Sequence, residues 1–148
     1  MKNKNQQKYK QLAEEWFLKG NHDIETAQLL FDKEGYNEVI CFHIHQAIEK
    51  YLKGFLVYNG VRHKRIHDLE ELIKACGDID SNFLNFLDEC SSITEYYFES
   101  RYPLGDIINY PLERVKESLD AAYNIIGLID DKMKAGNERE KECKKLEI

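Results

Sequence analysis

Arg101, Tyr102 and Pro103 stand together in a 148-residue chain, and their types suit recognition of a phosphate-bearing ligand. An arginine guanidinium is planar, permanently charged and shaped to grip phosphate. A tyrosine beside it could stack on a base, and Tyr96-Tyr97-Phe98 lies just upstream. Aromatics at helical spacing also line cores and dimer surfaces, and the dimer surface is the favoured reading of that run. Arg101 has a structural reading of equal weight, pairing at a turn with Glu95, Glu99 or Asp106.

A second group comprises His43, Gln46 and Lys50. Their steps of three and four place them on one helical face, continued by Lys53. His43 and Lys50 could contact a phosphate or a dimer mate. Because buried polar groups are ordinarily satisfied within the fold, a hydrogen-bonded network between helices is the favoured alternative. A third group is Arg62, His63, Lys64 and Arg65. Arg62, Lys64 and Arg65 could steer phosphate or RNA, although such clusters are more often simply solvated. Cys41 and His45, and His63 and His67, are spaced for shared metal contact, but no closed four-ligand set is visible. No metal and no cofactor is expected.

These residues need elements to hold them. Leu12, Trp16, Gly20, Ile24, Ala27 and Phe31 give helical periodicity from Asn5 to Lys33. Gly20-Asn21 could bend that helix or split it in two, and Gly35 is placed to end it as a left-handed glycine. A second helix spans Asn37 to Tyr58, with Asn37 as N-cap and a stripe through Ile40, Ile44, Ile48, Leu52 and Phe55-Leu56. Asp68 can cap a third helix, broken at Gly77-Asp78 and resumed at Ser81. The last helix starts at Pro111, with Val115, Leu119, Ala122, Ile126 and Ile129 buried. The expected fold is all-α: an up-and-down bundle of four main helices plus a short extra helix. The bundle should span residues 5–135, and 136–148 should form a charged tail, frayed or disordered.

The composition agrees. With 43% hydrophobic residues, only two prolines and a net charge of −6, the chain reads as a helical domain rather than a coat for duplex DNA. No apolar run reaches membrane-span length. The four cysteines lack CxxC pairing and read as reduced thiols in a cytoplasmic setting.

Four stretches, in this order, resemble the HEPN family, the "higher eukaryotes and prokaryotes nucleotide-binding" domain. They are Trp16-x-x-Lys19-x-x-x-Asp23-Ile24-x-x-Ala27, the run from Cys41 to Lys53, His67-Asp68-Leu69, and Ser100-Arg101-Tyr102-Pro103. The resemblance covers about Gln11 to Lys132. It implies a bundle of four or five helices, usually a homodimer, often encoded beside a minimal nucleotidyltransferase in toxin–antitoxin modules. Many members are metal-independent ribonucleases with an Arg-x4-6-His motif across the dimer interface. Here Arg101 is present, but no histidine follows His67. Acid–base catalysis needs a titratable group at the reacting oxygens, and Tyr102, Tyr110 and Asn109 are poor substitutes. Arg62 and His67 match the spacing at the wrong place. The resemblance therefore implies a non-catalytic dimer that binds a nucleotide, RNA or a nucleotidyltransferase partner. The alternatives are a ribonuclease with an altered site, using Arg101 and Tyr102, and a plain protein-interaction module.

Overall fold

The computed structural model describes residues 2–62, 68–101 and 111–146, with side chains described for 4–62, 68–98 and 111–146. Tyr102, Lys64, Arg65, His63 and His67 lie outside the described residues. The described residues form α1 (Lys2–Asp32), α2 (Asn37–Tyr58), α3 (Leu69–Ile79), a 3-10 turn (Ser81–Phe86), α4 (Leu87–Arg101) and α5 (Leu112–Leu146). This is the expected all-α bundle, and no strand occurs among them.

The central helix is α2. Its predicted stripe is buried almost completely, with Ile44, Ile48 and Leu52 at 0% exposure. Burying a side chain of this size contributes about 1.5–3 kcal/mol each. Cross-helix contacts fix the directions. Along α1, Phe17 stacks on Tyr51 at 5.4 Å, while Asp23 meets Lys50 and His43, so α1 and α2 are antiparallel. Tyr97 of α4 stacks on Phe42 and His45 near the start of α2, whereas Phe83 meets Phe55 near its end. Tyr123 of α5 donates to Gln28 Oε1 at 2.9 Å, and Lys10 pairs with Glu140 at 3.6 Å. Thus α5 runs antiparallel to α1. No helix among the described residues is long and apolar enough to cross a membrane.

Several local expectations are corrected. Gly20 does not split α1. A Cβ there would sit 2.6 Å from Tyr51 Cδ2, so the glycine admits a ring. At the end of α1, Gly35 N–H donates to Leu30 O and Glu34 N–H to Phe31 O. That pair of bonds is a Schellman motif, and its left-handed residue is Glu34 (φ 56), not Gly35. A Cβ on Gly35 would press on Leu30 at 3.1 Å. The same motif closes α2, this time with Gly60 at φ 71. The residue preceding α2 is Tyr36, extended and without a side-chain cap bond, so Asn37 is the first helical residue rather than the cap.

Asp68 caps α3 as expected, accepting from Glu70 N–H at 2.9 Å. Gly77-Asp78 does not break α3, which runs to Ile79. Gly77 gives way to Leu84, which a Cβ would approach to 2.5 Å. Asp80 makes the break, accepting from Asn82 N–H. Pro111 precedes α5, and its carbonyl accepts from the amides of Arg114 and Val115. α5 continues through the charged segment to Leu146, with Gly136 beneath the hydroxyl of Tyr58.

Candidate functional site

The polar face of α2 is held by a carboxylate that the sequence reading did not pair with it. Asp23, 9% exposed, projects from α1. Its Oδ1 lies 3.0 Å from His43 Nδ1, and its Oδ2 accepts from Lys50 Nζ. His43 and Lys50 are therefore brought together through Asp23, as the network reading expected. Both retain about a quarter of their side-chain exposure, 24% and 25%. Holding Nδ1 against a carboxylate leaves Nε2 as the outward nitrogen of His43. The Asp23 carboxylate offsets the Lys50 ammonium. The cluster thus offers hydrogen bonds rather than a strong field.

One turn further along α2, Lys53 pairs with Glu49 at 3.0 Å, and both side chains are almost fully buried. Lys53 Nζ also lies 5.5 Å from the centre of the Trp16 ring, within cation–π range. Sequence reading placed Lys53 on the polar face and missed its burial. Asp23 was legible as a signal: a carboxylate next to Ile24 and one turn from Ala27, in the apolar part of α1, needs a partner.

Arg101 is the last residue of α4. One turn before it, Tyr97 is buried and lies face to face with His45, centroids 3.8 Å apart. The aromatic run expected at a dimer surface is thus divided. Tyr97 is core, Tyr96 packs partly buried against the core, and Phe98 is 54% exposed. Phe42 joins the two sides, edge-on to His43 at 5.2 Å and stacked on Tyr97 at 5.9 Å. The end of α4 and the Asp23 cluster therefore flank the same end of α2. Arg62 is elsewhere: exposed, just beyond the other end of α2. The helical residues between His43 and Tyr58 span about 22 Å at 1.5 Å per residue, so Arg62 and His43 do not share a site.

Beside α4 a shallow cleft of about 210 Å³ has Arg114 facing Asp88, Glu89 and Glu117, with Tyr96 at its wall. Its acidic rim suits phosphate poorly. Cys41 and His45 do not present a ligand pair outward: both are buried. Burial pushes the Cys41 thiol up to about 11 and Cys90 to about 12, so both are protonated at neutral pH. Among the described residues no cluster of three His, Cys, Asp or Glu gathers for a metal.

The family model for the HEPN domain matches residues 13–132. The chain belongs to the HEPN family. A relative in Methanocaldococcus jannaschii, named "Putative toxin MJ1304", is 28% identical, over 82% of this chain and 88% of that protein. The crystal structure of TT1696 from Thermus thermophilus superposes with a TM-score of 0.68 at 23% identity. It covers 81% of this chain and 97% of that one, and the two share their fold.

Proposed function

We propose that this HEPN chain acts as a homodimer and binds a phosphate-bearing ligand, a nucleotide or RNA, without cleaving it. The observation that carries this reading is the common location of the Asp23–His43–Lys50 cluster and the end of α4 at Arg101. Arg101 and Tyr102 supply the charged fork and the stacking ring. His43 and Lys50, held by Asp23, add hydrogen bonds at the neighbouring rim. Arg62, Lys64 and Arg65 form a separate basic contact for phosphate or RNA. No histidine follows Arg101 to move a proton, which is why binding is favoured over catalysis. No cofactor is needed for this, and the compartment that fits such a role is the cytoplasm.

Thermal unfolding of wild type and Arg101→Ala, with and without millimolar nucleotides, tests this reading. A ligand at about 100 times its Kd stabilises the folded state by about 2.7 kcal/mol. A shift in wild type that is reduced in Arg101→Ala supports the site. If no nucleotide or RNA oligomer shifts the wild type, the ligand reading fails, and a nucleotidyltransferase partner or another protein becomes the target of the search. Sedimentation at micromolar concentration tests the dimer, and a monomer there overturns that part.

The relative's toxin name favours a second reading, a metal-independent endoribonuclease of a toxin–antitoxin module with an altered motif. Cleavage of RNA in EDTA that is lost in Arg101→Ala would establish it. Equal cleavage by the variant would assign the activity to a contaminant.

A further inference from the structure

At the opposite end of the bundle from Arg101, the first turns of α1 and the end of α2 enclose an open cleft of about 570 Å³. Clefts of roughly 300–1,000 Å³ are the size that holds small organic ligands. Its walls are Tyr9, Leu12, Val57 and Val61, and its cations are Lys8 and Arg62. Asn5 adds a polar side chain to the lining, and among the described residues no carboxylate lines the cleft. In a chain of net charge −6, that is a local inversion of sign. Neighbouring Lys10 is paired with Glu140, whereas neither Lys8 nor Arg62 has an ion pair among the described residues.

The apolar part is equally specific. Tyr9, Leu12 and Val61 are each more than a third exposed, an unusual cluster for a surface with nothing on it. Gly60 borders the Tyr9 ring; a Cβ there would stand 3.5 Å from Tyr9 Cε2. The left-handed turn at Gly60 (φ 71) directs the chain so that Val61 and Arg62 form the rim.

We infer that this cleft binds a nucleoside monophosphate: its ring lies against Tyr9, Leu12 and Val57, and its phosphate meets Arg62 and Lys8. A planar, apolar ring joined to a dianion matches both halves of the lining. Asn5 supplies an amide for a base edge or ribose hydroxyl. The inference rests on the reading that the Arg62 segment meets phosphate, and it is independent of the Arg101 site.

Isothermal titration of the full chain with AMP, GMP, UMP and CMP at millimolar concentration tests it, with adenosine and inorganic phosphate as separate halves. At least one monophosphate should bind, and each half alone should bind about tenfold more weakly or worse. Arg62→Ala and Lys8→Ala, both surface changes, should each weaken binding about tenfold, about 1.4 kcal/mol. Leu12→Trp, which fills the wall of the cleft, should abolish it. Melting curves of the variants confirm that they fold. Binding that survives Arg62→Ala and Lys8→Ala together in an Arg101→Ala background, or that is lost altogether in Arg101→Ala alone, overturns the inference. So does the absence of binding by all four monophosphates. If RNA oligomers bind through Arg62 while no monophosphate does, the cleft proposal falls and the basic-segment reading stands.

Discussion

Asp23 joins two helices with one carboxylate, and its removal shows how much that joint contributes. Asp23→Ala leaves Lys50 and His43 facing each other without an acceptor. Breaking a fully buried pair costs about 3–5 kcal/mol, and partial solvent access here lowers the expectation to about 1–3 kcal/mol, read from denaturant unfolding. The Glu49–Lys53 pair is more deeply buried. Glu49→Gln strands an ammonium in the core and should cost about 3 kcal/mol. Replacing both together, as Glu49→Leu with Lys53→Met, should cost less than the single change. A double variant weaker than Glu49→Gln would show that the pair contributes more than its desolvation.

At the scale of elements, glycine separates close approach from flexibility. Gly54 faces Phe17, whose Cε1 would stand 2.6 Å from an added Cβ, while a Cβ on Gly127 meets nothing within 4 Å. Alanine raises helix propensity by about 1 kcal/mol at either place. Gly127→Ala should therefore stabilise by up to about 1 kcal/mol. Gly54→Ala should lose about 1–3 kcal/mol to overpacking, with opposite shifts in Tm as the measurement. This distinction explains what could be read from the sequence. The apolar stripe of α2 and the cap at Asp68 follow from periodicity and side-chain chemistry, and both are present. Gly20, Gly35 and Gly77 looked like breakers, yet each makes room for a side chain. Two of those partners are distant in sequence or lie beyond a break, and periodicity carries no record of them. Asp23 fell to the same limit, being 20 and 27 residues from its partners. Of the proposed contact residues, His43, Lys50 and Arg62 are placed by helix ends and faces, whereas Tyr102, Lys64 and Arg65 lie outside the described residues.

Across the whole molecule, burial of weak acids sets an alkaline limit. Cys41 rises from 9.0 to about 11 and Cys90 to about 12 through burial; Tyr51 rises from 10.0 to about 12 through burial, then Asp130 and Glu25. Cys76 moves in the same direction. Each group holds its proton more firmly folded than unfolded. The stability they contribute is complete below pH 9 and declines as pH rises from there through 11 to 12. Denaturant midpoints measured from about pH 8 to about pH 11 should fall across that interval, and a flat profile would contradict the burial of these thiols.

The chain has a single tryptophan, and Trp16 sits half-buried on α1 with the Lys53 ammonium of α2 over its ring. Its indole emission therefore comes from one position, at the seam between these two helices. Parting of α1 from α2 will register as a change in colour and intensity without any attached dye. A native fluorophore thus lies on the same pair of helices that bounds the Lys8–Arg62 cleft.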